Sequence, residues 1–154
     1  MALETWLHLL HIVGAVVWVG GGVMLSVIGA RARRSENPQV IGDFAQMLSY
    51  MGPRVLMPAV LTVIITGVWL VLASPGWSFT QLWVILALGA FVVAFLIGAV
   101  YLSRIALELE RLTIRTDASL QAARDVLGRW IVGYRVVLLI LLFVLWDMVF
   151  KPGL

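Results

Sequence analysis

Four long apolar stretches dominate the pattern of hydrophobic and polar positions. They lie at about residues 3–30, 54–73, 81–103 and 130–150, and a helix needs about 20 apolar residues to cross a bilayer. Residues 38–52 carry apolar and polar positions at helical spacing, which predicts an amphipathic helix that either lies at the membrane surface or leads into the second span from the cytoplasm. The pattern predicts an all-α polytopic membrane protein, an antiparallel bundle of four transmembrane helices with helical cytoplasmic extensions.

The ends of these helices carry local signals. Pro38 is placed to begin the amphipathic helix, and the Gly52–Pro53 pair predicts a break or kink before the second span. The third helix is expected to continue in a polar segment to about Arg115. Asp117 is the expected N-cap of the last helix. Short connections and the lack of an internal repeat predict a single domain over residues 1–154.

Composition supports the membrane assignment and removes several kinds of site. The chain is 62% hydrophobic and 12% charged, with a mean hydropathy of +1.05, which is typical of polytopic membrane proteins. It has no cysteine. This excludes disulfides, thiolate metal sites and covalent haem attachment through cysteines.

The arginines are segregated, and they predict orientation rather than nucleic-acid binding. Nine of them lie in the two segments that join spans one to two and three to four: Arg31, Arg33, Arg34, Arg54, Arg104, Arg111, Arg115, Arg124 and Arg129. The connection between spans two and three has no charge, and the C-terminal tail has only Lys151. The positive-inside rule therefore predicts a bacterial inner-membrane protein with both termini in the periplasm. Five tryptophans are expected to form an aromatic belt at that outer interface: Trp6, Trp69, Trp77, Trp83 and Trp146.

The candidate chemistry lies in the first span, which holds both histidines of the chain. If this span is helical, a single stripe contains His8, His11, Ala15, Trp18, Gly22 and Leu25. An imidazole within the hydrocarbon region is costly, so it indicates a functional site. Glycines on the stripe let another helix or a planar cofactor approach the backbone closely.

Each of these residues also has a purely structural interpretation. His11 is a ligand, axial to haem or bound to copper, or else it is a packed histidine hydrogen-bonded to a neighbouring helix. His8 is either a second ligand to a small metal ion or an interfacial residue. Arg135, close to the membrane interior, either binds a haem propionate or a lipid phosphate, or extends to the interface. Asp147 and Lys151 have the spacing of an ion pair near the outer end of the last span.

Two short motifs carry a resemblance to a known group. The segments LHIVGAVVWVGG at residues 10–21 and MVFKPG at residues 148–153 resemble the CopD-like superfamily. That group includes the membrane domain of copper-resistance protein D, HemJ-type protoporphyrinogen oxidases and a related family of small integral membrane proteins. The shared features are a His-x6-Trp-x-Gly pattern, here His11, Trp18 and Gly20, and the Lys151–Pro152 pair. In HemJ-type members the first-span histidine is associated with haem b, so the resemblance implies haem b at His11.

Three functions follow from these observations. The first is a haem b-binding redox protein, an oxidoreductase if it is an enzyme, that exchanges electrons with quinone or another membrane partner. Its expected cofactor-binding residues are His11, Trp18, Gly22 and Arg135. The second is a copper-handling protein that uses His8 and His11. The third is a cofactor-free subunit of a larger membrane complex, or a homo-oligomer. All three place the chain in the lipid bilayer and none involves nucleic acid.

Overall fold

Four long helices account for the fold. The computed structural model describes residues 2–114 and 119–153. The helices are α1 (Ala2–Arg33), α2 (Pro38–Ala73), α3 (Leu82–Thr113) and α4 (Leu120–Phe150), and each is long and apolar enough to cross a membrane. No strand occurs in the described ranges. The predicted all-α membrane fold is confirmed.

Two of the helices are longer than their predicted spans. The amphipathic segment Pro38–Met51 and the span Met57–Ala73 belong to one helix, joined by a π-helical segment at Gly52–Leu56. Of the break or kink predicted at Gly52–Pro53, the break does not occur, because the wider π turn carries the helix through the proline. Helix α3 also contains a π-helical segment, Ile97–Leu102, and continues towards its polar end.

Caps set where α2 and α4 begin. The Asn37 side chain accepts a hydrogen bond from the Gln39 N–H, with Pro38 in the first turn, as predicted. Helix α4 begins after Ser119, whose hydroxyl accepts from the Ala122 N–H. The predicted cap Asp117 and the predicted limit Arg115 lie outside the described residues.

The bundle has two ends with different chemistry. We call the end where α1 begins and α4 finishes the terminal end, and the opposite end the arginine end. At the arginine end, Arg33 donates to the Arg124 carbonyl and Arg124 donates to the Ser35 carbonyl, at 3.1 and 2.7 Å. These bonds tie the α1–α2 connection to α4. The larger hydrophobic core lies in this half and includes Leu25, Ile41, Leu109 and Leu127, each fully buried.

The helices are not packed in a closed ring at membrane level. Helix α2 packs on α1, α1 on α4, and α4 on α3. The backbones of the membrane-level segments Met57–Ala73 and Leu82–Leu96 stay apart, although Val71 packs in a small side-chain cluster with Trp83 and Val84 at the terminal end. Nearer the arginine end the backbones of α2 and α3 come together, where Pro38–Met51 packs on Ser103–Ile114. The bundle therefore leaves a cleft between α2 and α3.

Candidate functional site

The predicted stripe of α1 does not face one environment along its length. Trp18, Gly22 and Leu25 are buried in the bundle. His11 and Ala15 are half-buried, and His8 is exposed. The stripe therefore turns from the interior at the arginine end to the surface at the terminal end.

His11 lies in the contact between α1 and α2. Its Nδ1 is 3.0 Å from the Val63 carbonyl oxygen and 3.1 Å from the Thr66 hydroxyl oxygen. The carbonyl can only accept, so Nδ1 carries the proton and donates. Thr66 in turn donates to the Thr62 carbonyl. Gly67 makes room for the ring, since a Cβ there would lie 3.0 Å from the imidazole Cε1. The deep histidine is thus satisfied by helix packing, and its Nε2 keeps a free lone pair.

His8 is a surface residue of the terminal end. Its Nδ1 is 2.9 Å from the Glu4 carbonyl of its own helix, and its ring meets Trp77 edge-on at 6.0 Å. The two histidines therefore face different partners. No group of three or more His, Cys, Asp or Glu side chains suited to a metal ion occurs among the described residues.

The space beside Gly22 is filled by the protein itself. A Cβ at Gly22 would overlap the ring and hydroxyl of Tyr134, a buried residue of α4. Trp18, one turn away, packs edge-on against Phe91 of α3 at 5.7 Å. Both residues therefore serve contacts between α1 and the other helices.

The four residues predicted to hold haem do not converge. His11 faces α2, Trp18 and Gly22 face α3 and α4, and Arg135 is exposed on the outer side of α4. Nδ1 donation to a backbone carbonyl is the arrangement expected of a metal-ligating histidine. Yet a macrocycle beside Gly22 would have to displace the Tyr134 ring. The residues of a single chain do not fit haem, and haem at His11 stays a prediction.

A cavity of about 440 Å³ occupies the cleft between α2 and α3, within the usual range for small-molecule sites. The π-helical segments Gly52–Leu56 and Ile97–Leu102 form its two sides. Its back wall contains four residues of α1 and α4: Trp18, Trp130, Tyr134 and Val137. π-helical turns occur often at functional sites, because they open a helix and shift its side chains. Here both of them line the same cavity.

The cavity is largely apolar, and its polar side chains lie at three places, one of which is Ser103, whose hydroxyl donates to the Ala99 carbonyl of its own helix. At its arginine end the Ser49 hydroxyl donates to the Glu110 carboxylate at 2.8 Å, and both residues line the cavity. In its back wall the Tyr134 hydroxyl is buried without a hydrogen-bond acceptor, although the Trp18 indole lies close to it. A ligand here meets apolar walls at membrane depth and a carboxylate towards the polar end.

The predicted Asp147–Lys151 ion pair does not form. Within residues 2–114 and 119–153, neither carboxylate oxygen of Asp147 has a hydrogen-bond partner. The Lys151 ammonium lies 4.3 Å from the centre of the Trp77 ring and 5.4 Å from that of Trp83. The backbone of Lys151 is left-handed at φ 42°, and this conformation ends the helix. The side chain therefore leaves the direction of a helical i, i+4 pair and rests on the two rings instead.

Sequence reasoning missed the cavity and two of its polar residues, Glu110 and Tyr134. Two features of the sequence mark the sides of the cavity. The first is the Gly52–Pro53 pair within a helical pattern, which was interpreted as a break or kink. The second is Gly98, whose missing side chain borders empty space in the α3 π-helical segment. The partner of Gly22 is far away along the chain, and no local pattern identifies it.

The comparisons with known proteins agree with the fold. A family model described as predicted integral membrane protein (DUF2269) matches residues 5–152. Neither a curated protein nor a solved structure matches the chain.

Proposed function

The chain belongs to the family of predicted integral membrane proteins (DUF2269), and we propose that it binds a membrane-soluble quinol or quinone in the cleft between α2 and α3. The observation that carries this proposal is the 440 Å³ cavity bounded by the two π-helical segments. A bilayer molecule reaches such a cleft sideways, without crossing water.

The polarity of the cavity favours an amphiphile with hydrogen-bond donors in its head group. Glu110 offers a carboxylate oxygen at the arginine end, and Ser49 holds that carboxylate in place by donating to it. The hydroxyl groups of a quinol are such donors, and a bond to an ionised acceptor is stronger than one between neutral groups. A planar ring also suits aromatic walls, here Trp18, Phe95 and Trp130. An isoprenoid tail fits the apolar opening towards lipid.

Equilibrium binding of a short-tailed quinol analogue to the protein in nanodiscs tests the proposal. Gly98→Leu should weaken binding at least about tenfold, because the new side chain enters the empty space that Gly98 borders. Gly89→Leu is the matched control. Gly89 is also a glycine of α3 with nothing within 4 Å, but it is exposed and does not line the cavity.

The head-group contact has its own variant. Glu110→Gln should weaken quinol binding by about tenfold, since a charge-assisted hydrogen bond contributes about 1.5–3 kcal/mol. Saturable binding that Gly98→Leu leaves unchanged would contradict the cleft as the site. Absence of saturable binding, with a phospholipid recovered from the purified protein instead, would assign the cleft to a lipid acyl chain.

Haem b at His11 is the second candidate, and one observation favours it. The Nδ1–H of His11 is committed to the Val63 carbonyl, which leaves Nε2 as the nitrogen available to a metal. Because the residues of one chain do not form a haem pocket, this proposal requires a second copy or another subunit to complete the site. A Soret band that His11→Ala abolishes and His8→Ala retains would support it. Copper found by metal analysis would instead favour the copper-handling alternative, and neither signal would favour a cofactor-free subunit.

A further inference from the structure

Asp147 is a buried carboxylic acid that none of the functions above uses. It is 0% exposed, near the terminal end of α4, and both carboxylate oxygens lack a hydrogen-bond partner. An ionised carboxylate buried without a partner is costly, and an ionisable residue within a membrane span indicates a functional site. Burial of this group with no described partner therefore needs a chemical explanation.

The titratable surroundings of Asp147 are few. On its own helix the neighbour is Lys151, one turn further on. On α1 the titratable residues of the terminal half are Glu4, His8 and His11; His8 is bonded to a backbone carbonyl of α1 and His11 to one of α2. Residues 57–96 cover the second part of α2, the α2–α3 connection and the first part of α3. Their sequence has no titratable side chain. Lys151 is thus the nearest cation along the chain.

Lys151 is held away from the carboxylate by aromatic rings. Its ammonium lies over Trp77 and near Trp83, and those rings pack edge-on against each other at 5.2 Å. A cation–π contact is weak compared with the attraction between an ammonium and a carboxylate away from water. The ammonium can therefore leave the rings when a carboxylate one turn away becomes charged.

We propose that Asp147 is a proton-binding site of the terminal end, with Lys151 as its alternating counter-ion. In the arrangement seen here Asp147 holds a proton and is neutral, while Lys151 rests on the Trp77 ring. When the carboxyl O–H bond breaks, the proton passes to water at the terminal end. The ammonium then moves from Trp77 to the carboxylate. The ligand of this site is a proton, and its binding is independent of the cleft between α2 and α3.

Infrared spectroscopy of the protein in nanodiscs tests the site directly. Wild-type protein should show the band of a protonated carboxyl group at neutral pH, and this band should disappear as the pH rises. Asp147→Asn should abolish it. Asp43→Asn is the matched control and should leave it unchanged, because Asp43 is exposed at the arginine end and bonded to Gln39. Absence of the band from wild-type protein at neutral pH, or its persistence in Asp147→Asn, would overturn the proposal.

A second variant tests the counter-ion. Lys151→Gln keeps a long polar side chain but removes the charge that stabilises the deprotonated carboxylate. The pH at which the band is half lost should then rise by about one unit, a tenfold change in proton affinity. An unchanged midpoint would show that Lys151 is not the counter-ion. Gly98→Leu should not alter the midpoint, so this result and the quinol-binding result can fail separately.

Discussion

At position 22 the absence of a side chain decides how closely α4 approaches α1. The Tyr134 ring occupies the volume that a Cβ at Gly22 would need. Tyr134 is buried between α1 and the cavity, so its ring can yield to a new Cβ by moving towards the cleft and giving up its present packing. Close contact through small residues is a common means of helix association in membranes.

Gly22→Ala should therefore destabilise the protein by about 1–3 kcal/mol, the usual cost of overpacking a core. Thermal unfolding in detergent measures this loss. Gly20→Ala is the control, because nothing lies within 4 Å of its added Cβ, and it should be neutral or slightly stabilising. In a protein that already carries Tyr134→Ala, Gly22→Ala should cost little further stability, because the ring that the new Cβ would meet is absent. Equal destabilisation by both glycine variants would refute this account of the contact.

Individual residues were predicted best where only their own helix matters. Pro38 predicts the start of α2 from local chemistry, and the structure agrees. The Asp147–Lys151 prediction failed because it assumed a helix through Lys151, whereas that residue is left-handed. The sequence left open whether His11 is a cofactor ligand or a histidine packed against a neighbouring helix. Its bonding partners on α2, Val63 and Thr66, are known only from the structure.

Among the elements, α1 and α2 form the tightest helix pair because small residues face each other. An added Cβ at Gly14 would lie 3.0 Å from a Val63 methyl group and 3.2 Å from the Ala59 carbonyl oxygen. The carbonyl belongs to the α2 backbone, so it moves only if the helix moves. Gly67 makes the equivalent space for His11.

Gly14→Ala should push α1 and α2 apart and lower the stability by about 1–3 kcal/mol. The measurement is again thermal unfolding, with Gly89→Ala as a control that meets no atom within 4 Å. Because His11 is bonded across the same interface, Gly14→Ala should also speed hydrogen exchange at the His11 turn. A Gly14→Ala protein as stable as the control would show that the helices tolerate separation.

Apolar stretches were enough to predict the number and approximate position of the helices. They left open whether 38–52 is a separate surface helix or leads into the 54–73 span, and the structure shows one helix, since the π-helical segment satisfies the backbone around Pro53 without a break. The cleft was not predictable from any single stretch. It arises because α2 and α3 are each packed on a different neighbour, so their backbones stay apart between the Val71–Trp83–Val84 cluster and the arginine end.

For the whole molecule, the segregated charges still predict which way the bundle faces. Arginines surround the arginine end, and Lys151 is the only lysine or arginine at the terminal end. The positive-inside rule then places the arginine end in the cytoplasm and both termini in the periplasm. A reporter enzyme that is active only in the periplasm should be active when fused after Leu154. A cytoplasmic reporter fused in the same place should be inactive, and the reverse pattern would contradict this orientation.

Orientation matters for both proposed sites, because they lie in opposite halves of the bundle. The quinol head group would meet Glu110 on the cytoplasmic side, while Asp147 would exchange its proton with the periplasm. The predicted resemblance to CopD-like proteins rests on the first span and on residues 148–153, and the family match does not extend to that superfamily. The cavity instead depends mainly on residues of α2, α3 and α4.

Photoaffinity labelling with an azido-quinone, followed by mass spectrometry of the labelled peptides, tests the central claim most directly. The account predicts labels on the two π-helical segments, Gly52–Leu56 and Ile97–Leu102. An excess of unmodified quinol should compete for them, Gly98→Leu should remove them and Gly89→Leu should retain them. Labels spread over the lipid-facing surface of α1, unaffected by competitor or by Gly98→Leu, would contradict it.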